Sequence, residues 1–449
     1  MGLFEAQGLP TTWDSQTNIR WRTRMSEFSN GSPLVKGKTL FVVSEPVELL
    51  ALSLDDGAIL WRKNNRIMDT LEGAELEAAK AERARFEQLR VDLEANKKKL
   101  YRMKRRLRRG EPEEGLSEAV QKLEEEVNKS RAELDANRRA QPLPRIEFIG
   151  YSSSTPVADD QGVYVVFGNG VLTHFDFKGN RRWSRLLGDP PVNMRGFNQG
   201  HAASPLLVGD KLIVGFNRLR VLDKRTGEIQ WEGRRFLDFG TPAHMKLGGE
   251  DMIVTAFGEV YRLRDGALLA SDLGDVRHNG PVGLGEQVFF VGADFARAMV
   301  GTKTQSTAQK PAKARALTLS YQGDRVKHKT SWITELETSD YYATPTVHEG
   351  IFYALSAKGV LSVLDAKKGT LLYREDLESR GNIYASPVIA DGKLFLSGSH
   401  GEVWIYKTGA KAERIGENSL RDRVWSSPFI QKDSMYIRGE SFVYRIGAQ

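Results

Sequence analysis

Most of the chain alternates short apolar runs with polar turns, a period-two pattern that predicts β-strands rather than helices. Residues 203–231 read ASPLLVGDKLIVGFNRLRVLDKRTGEIQW. A small residue and a hydroxyl-Pro pair precede a strand, a Gly-Asp turn, two further strands, an Asp-Thr-Gly turn and a last strand that carries a Trp. The same order recurs along the chain, anchored at Pro33, Pro156, Pro205, Pro242, Pro281, Pro345, Pro387 and Pro428. Five of the seven gaps between these prolines are 37 to 49 residues long; the other two, of 123 and 64, contain insertions. A period near 40–45 residues with four short strands per unit predicts an all-β fold, a β-propeller of eight four-stranded blades.

The last unit lacks a fourth strand. The segment NIRWRTRM (Asn18 to Met25) resembles AILWRKNN (Ala58 to Asn65), with Trp21 standing where Trp61 stands. It is predicted to complete the eighth blade and tie the chain ends together, which removes free sheet edges. Within the repeat, Asp223 and its relatives Asp55, Asp176 and Asp365 can accept hydrogen bonds from turn amides. Gly227, with Gly57, Gly179 and Gly369, supplies a turn backbone with positive φ. Trp21, Trp61, Trp183 and Trp231, with Tyr373 as a stand-in, are expected to pack between sheets, because a Trp at every repeat cannot serve one ligand.

The β pattern stops at residues 70–140. Phe86, Leu89, Leu93, Asn96, Leu100, Met103 and Leu107 follow 3,4 spacing, as do Leu116, Val120, Leu123, Val127, Ser130 and Leu134. Two such seams around RRGEPEEG predict an antiparallel coiled-coil hairpin inserted between blades 1 and 2. The predicted organisation is therefore a propeller over 10–66 and 145–449, the hairpin over 70–140, and a flexible polar loop over 295–314 in blade 5.

The chain has 449 residues, 43 of them Gly, no Cys, and a formal net charge of +7. Without Cys there are no disulfides, thiolate metal sites or thiol nucleophiles. The charge is modest for the length, so an anionic partner needs a local patch. One exists in Asn96 to Arg109, NKKKLYRMKRRLRR, with nine Lys or Arg and no acid. Lys97, Lys98, Lys99, Arg102, Arg105, Arg106 and Arg109 could meet nucleic acid, anionic lipid or an acidic protein. Against that, the insert as a whole has 18 basic and 16 acidic residues. Folding back would set Glu111, Glu113, Glu114 and Glu118 near Arg105 to Arg109, and Glu124 to Glu126 near Lys97 to Lys99. Pairing within the hairpin is the favoured expectation. No apolar run is long enough to span a membrane, and the start MGLFEAQGLP lacks the basic and apolar regions of a signal peptide.

The pattern SP…G…LDxxTGxxxW, best preserved in LDKRTGEIQW, resembles the repeat of the PQQ-like (pyrroloquinoline-quinone-type) β-propeller family. That resemblance implies the propeller fold and two kinds of function: quinone- and Ca²⁺-dependent dehydrogenases, and non-enzymatic scaffolds such as the BamB-like members. The dehydrogenases carry a vicinal Cys pair, absent here, and no Glu, Asn and Asp set for Ca²⁺ is recognisable. The BamB-like members carry a lipobox Cys, also absent. The resemblance implies a periplasmic or cell-envelope location and favours binding over catalysis, with neither PQQ nor Ca²⁺ expected.

Propeller ligands sit at the channel mouth. The residues three before each anchoring Pro are Asn30, Ser153, Ala202, Phe239, His278, Tyr342, Tyr384 and Trp425. The later five form an aromatic and histidine arc, the candidate site for a peptide, sugar or flat cofactor; the alternative is that they plug the funnel. No two of the seven His have metal-ligand spacing, and no nucleophile-elbow, phosphate-loop or zincin motif occurs. No catalytic, cofactor-binding or metal-binding residue is assigned. Three functions follow: a protein-binding scaffold in a bacterial envelope, a quinone-dependent dehydrogenase, and an anion binder working through the hairpin.

Overall fold

The computed structural model describes residues 2–14, 17–109, 114–136, 149–188, 200–235, 239–271, 273, 274, 276, 278–292, 311–337 and 340–448. They form two units, 1–65 with 146–449, and 66–145.

The first unit is an eight-bladed propeller. Each blade is a four-stranded antiparallel sheet whose strands neighbour one another in chain order. The first strands are Leu34–Lys36, Val157–Ala158, Leu206–Val208, Ala243–Leu247, Val282–Leu284, Thr346–His348, Val388–Ala390 and Phe429–Gln431. First strands of successive blades touch at six of the eight junctions, so they ring the axis. Blade 8 is completed from the N-terminal side: Ile19–Arg24 pairs antiparallel with Phe442–Gly447, with Trp21 opposite Arg445. The middle strands are almost wholly buried, because each sheet covers its faces with the next sheet; Leu40 to Val43 and Leu212 to Ile213 are shielded from solvent.

Blades are joined by a repeated contact. The Trp61 indole N–H donates to the Phe177 carbonyl of blade 2 (3.0 Å), Trp183 to Lys224 of blade 3 (3.0 Å), and Trp231 to Leu263 of blade 4 (2.8 Å). Trp21 bonds Leu54 across the closure (2.9 Å), and Trp332 bonds Ala366 from blade 5 to blade 6 (2.8 Å). Each indole lies on the turn glycine of the following blade. At Gly227, φ is +70° and an added Cβ would fall 2.7 Å from the Trp183 ring. The glycine is thus required twice, for its backbone and for the space above it. Trp332 escapes the sequence pattern because its long strand, Val326–Glu335, lies within the 64-residue gap between Pro281 and Pro345.

Where the Trp is missing, something else fills the seam. Register places Ala270 at this position in blade 4 and Gly416 in blade 7, opposite Val260 and Ile405. The seam between blades 4 and 5 holds an apolar cluster of Met245, Met252, Leu269, Phe290, Leu317 and Leu319. Across it Arg262 donates to the Tyr321 hydroxyl (2.9 Å). In the seam between blades 7 and 8, the N-terminal segment enters. Trp13 is buried there, its backbone N–H donating to Asn418 Oδ1 (2.8 Å), and the Asn418 amide donates back to the Thr11 carbonyl (2.9 Å). A Cβ on Gly416 would lie 2.3 Å from that carbonyl.

A second ring of bonds circles the axis at the residue before each anchoring Pro. The Ser32 N–H donates to Thr155 Oγ1 (3.1 Å), Thr155 to Ser204 Oγ (3.0 Å), and Ser204 to Thr241 Oγ1 (2.9 Å). Gly280 continues to Thr344 Oγ1 (3.1 Å), Thr344 to Ser386 Oγ (3.0 Å), Ser386 to Ser427 Oγ (2.8 Å), and Ser427 closes on Ser32 Oγ (3.0 Å). Pro itself has no N–H, so the preceding amide and hydroxyl make the link. One junction lacks it: blade 5 offers Gly280, which has no hydroxyl.

The second unit is a helical hairpin. Helix α1, Gly73–Arg108, is about 54 Å long, and helix α2 is Leu116–Ala136. Phe86, Leu93, Val127 and Leu134 form its core with Leu89 and Leu100. Of the loop expected over 295–314, residues 295–310 lie outside the described residues; Lys313 and Ala314 belong to the strand Lys313–Tyr321.

Three substitutions separate these contacts. Trp183→Ala should lower stability by about 3–5 kcal/mol in equilibrium urea unfolding, as expected for a large buried aromatic. Ser32→Ala should lower it by only about 1 kcal/mol, the net worth of one hydrogen bond. Gly280→Ser should destabilise rather than complete the ring, because a Cβ there would fall 2.3 Å from the Thr241 carbonyl oxygen.

Candidate functional site

The eight positions three before the anchoring prolines lie just ahead of the first strands, at one end of the channel. In blades 1 to 3 they are Asn30, Ser153 and Ala202, and Ser153 is buried. In blades 4 to 8 the five rings form one continuous chain. Phe239 and His278 have centroids 5.5 Å apart, and His278 meets Tyr342 edge-on at 5.1 Å. Tyr342 stacks on Tyr384 at 5.1 Å and 8°, and Tyr384 on Trp425 at 5.8 Å and 9°. The structure thus brings together all five predicted arc residues.

The geometry limits what the arc can bind. Each flat face of Tyr384 is covered by a neighbouring ring. A planar ligand inserted between two rings needs roughly twice an aromatic stacking distance, and 5.1–5.8 Å does not provide it. Tyr384 nevertheless remains 42% exposed. Burial, then the charge of Asp340 and the ring of Tyr384, pushes the Tyr342 hydroxyl up, so it stays a neutral donor and acceptor.

The electrostatics behind the arc come from blade 8 and blade 1. Arg438 is fully buried, and its guanidinium donates to the backbone carbonyls of Glu27, Gly439 and Glu440. Burial pulls its pKa down to about 10, partly countered by Asp422 and Glu440. Glu45 clamps the entry to blade 2. Its Oε1 accepts from the Tyr151 N–H (2.8 Å), the Ser152 N–H (2.7 Å) and the Ser152 hydroxyl (2.6 Å). Desolvation nevertheless raises its pKa above 4.5, against the lowering by Ser152 and Tyr151.

A cavity of about 950 Å³ lies at the other end of the first strands, between the N-terminal segment and the turns at Asp391 and Lys432. Among the described residues no three His, Asp or Glu side chains are close enough together to hold a metal ion. His201 is fully buried against Phe216, while His278 belongs to the arc. A quinone with Ca²⁺ requires a free aromatic face and a carboxylate-rich donor set; Tyr384 at the centre of the stack offers no free face, and among the described residues no such donor set occurs.

On the hairpin, pairing differs from the expectation. Lys97 bonds Glu94 of its own helix (2.8 Å), and Glu124 bonds Lys104 (2.7 Å) rather than Lys97 to Lys99. Lys98, Lys99, Arg102, Arg105, Arg106 and Arg109 are exposed. Glu111 and Glu113 lie outside the described residues. The register is set by the Leu93, Val127 and Leu134 core, which carries Glu124 nearer the tip. The repeat residues have local duties: Asp223 Oδ1 accepts from the Arg225 N–H (2.8 Å) and the Thr226 N–H (3.2 Å) ahead of Gly227.

The hydroxyl ring, Glu45 and the Trp13 insertion were not anticipated. The first had a signal: Ser, Thr or Gly before every anchoring Pro. Glu45 and Trp13 stand outside the repeat and had none.

The family model described as outer membrane protein assembly factor BamB matches residues 5–90, 140–238 and 323–441. No curated protein sequence matches the chain. Among solved structures, BamB from Moraxella catarrhalis is similar at 14% identity and TM-score 0.56, covering 95% of this chain and 96% of that one. The computationally designed Ika8 protein is similar at 9% identity and TM-score 0.52, covering 98% and 99%. A europium-containing methanol dehydrogenase is similar at 12% identity and TM-score 0.51, covering 98% and 88%. At these identities the likenesses concern the fold alone.

Because folding raises the Glu45 pKa, the folded chain holds more protons than the unfolded chain from about pH 4.5 upward, and this group's contribution to stability falls as pH rises through that window. Glu45→Gln keeps an oxygen acceptor and removes the titration. Its melting temperature relative to wild type should be more favourable at pH 7 than at pH 4, measured by calorimetry at both values.

Proposed function

Because the chain belongs to the family of β-propellers described as outer membrane protein assembly factor BamB, we propose that it is a non-catalytic scaffold that binds other proteins in a bacterial cell envelope. The observation that carries this reading is the five-ring arc. Each ring rests on its neighbour, with both sides of Tyr384 against rings, so the arc arrives preorganised, and it includes two Tyr, a His and a Trp that can also hydrogen-bond. Aromatic residues of this kind dominate the energetic centres of protein interfaces, where a rigid ring loses little entropy on binding. The propeller beneath, closed by the strand Ile19–Arg24, supports the same role, since a binding patch works best on elements that do not shift.

The fit of the mouth to a quinone and Ca²⁺ is poor, which favours binding over dehydrogenation. An envelope location is consistent with the family. No helix among the described residues is long and apolar enough to cross a membrane. The hairpin is the second candidate surface for a partner.

The chain has no Cys, so a single one can be placed at will. Tyr384→Cys with a short photocrosslinker should give discrete protein adducts in envelope extracts. Leu284→Cys, exposed at the other end of a first strand, should not. Adding Trp425→Ala should reduce the Tyr384→Cys adducts about tenfold or more, the loss typical of an interfacial Trp. Equal labelling from both positions would sink the arc as the interface. Deleting residues 70–140 should leave a folded propeller with weaker partner capture, read by circular dichroism and pull-down. Saturable quinone binding with Ca²⁺, accompanied by dye reduction with alcohols or sugars, would replace the scaffold reading with a dehydrogenase.

A further inference from the structure

We propose that the outward face of α1 between Lys98 and Arg109 docks on the surface of an anionic lipid bilayer. This goes beyond the scaffold reading and does not depend on it.

The face is defined by helical spacing. Lys98, Arg102, Arg105 and Arg109 fall at i, i+4, i+7 and i+11, within about 40° of one line and opposite the seam that carries Leu89, Leu93 and Leu100. Lys99 and Arg108 flank the line. All six side chains are exposed, and none has an ion-pair partner among the described residues. Three acids of the hairpin hold other cations. Glu94 holds Lys97, Glu124 holds Lys104, and Glu133 holds Arg85. The result is a cationic stripe about 16 Å long that makes no ion pair among the described residues.

Apolar side chains share this face. Tyr101 is 70% exposed and Val91 is 54% exposed, both on the outward side among the cations or just behind them. An exposed Tyr beside several Lys and Arg matches the headgroup region, where the ring sits at the acyl boundary and the cations meet phosphates. A row of six cations also reaches the number at which polybasic segments hold an anionic membrane.

Shape separates a bilayer from a nucleic acid. The major groove, about 12 Å wide, admits one helix. Here α2 runs alongside and presents exposed Glu118, Glu125 and Glu126, which a groove would press against phosphates. A flat surface touches only the α1 face and leaves α2 in solvent.

The test uses the full chain with vesicles of phosphatidylglycerol and phosphatidylcholine, mixed, against vesicles of phosphatidylcholine alone. Co-sedimentation should show binding to the mixed vesicles only, falling steeply between low salt and 0.5 M salt, roughly where screening reaches a few ångströms. The triple variant Lys98→Glu, Arg102→Glu, Arg105→Glu should bind on the order of a hundredfold more weakly. A control with Lys122→Glu and Lys129→Glu on α2 should bind like wild type; helix content of both is checked by circular dichroism. Tyr101→Cys carrying an environment-sensitive dye should shift to the blue on the mixed vesicles. Equal binding to both vesicle types, unchanged binding by a folded triple variant, or no dye shift would overturn the proposal. So would tight binding of duplex DNA, or of an acidic protein, through the same residues without vesicle binding.

Discussion

The structure depends on one contact between neighbours: an indole of one blade seated on the turn glycine of the next, its N–H bonded to a carbonyl of that turn. A four-stranded sheet buries neither face alone, so a blade is stable only if the next blade covers it. The Trp–Gly contact provides that cover with a defined direction. The ring flattens against Cα where no Cβ intrudes, and the N–H settles the angle. Gly227 under Trp183 shows why neither partner can change alone, since any Cβ there would enter the ring.

Two of the eight seams lack an aromatic at this position, and their replacements explain features that otherwise look irregular. With Ala270 in place of Trp, blades 4 and 5 are held by a broad apolar cluster and by Arg262 reaching Tyr321. The same seam lacks the hydroxyl link, because Gly280 lies too close to the Thr241 carbonyl to carry a side chain. With Gly416 in place of Trp, the seam between blades 7 and 8 takes in the N-terminal segment, and Trp13 supplies the missing bulk from a distant part of the chain. The ring tolerates a lost repeat residue when another element occupies the same volume, as close packing requires.

The arc follows from the same scaffold. Each first strand enters the ring at a fixed distance from its neighbour, so residues three before the prolines fall side by side. Five consecutive rings there meet one another, Tyr342, Tyr384 and Trp425 by stacking and His278 edge-on to Tyr342. The repeat made those positions legible in the sequence, down to the residue. It did not reveal whether the rings would leave slots for a ligand, because that depends on ring planes and spacings set by neighbouring blades. The hairpin was legible in its two seams but not in its charge pairing. Lys104 rather than Lys97 meets Glu124, since the register comes from which apolar side chains interlock across the two helices.

The sequence by itself determined the architecture: eight units, closure by the strand containing Trp21, the turn chemistry of Asp223 and Gly227, and the helical interruption. Those features are local or periodic, and period is written directly in the order of residue types. Tertiary structure alone decided the Glu45 clamp, the entry of Trp13 between blades 7 and 8, and the mutual covering of the arc. Each joins residues far apart in the chain, and its partner is chosen by distance in space, which no spacing along the sequence encodes.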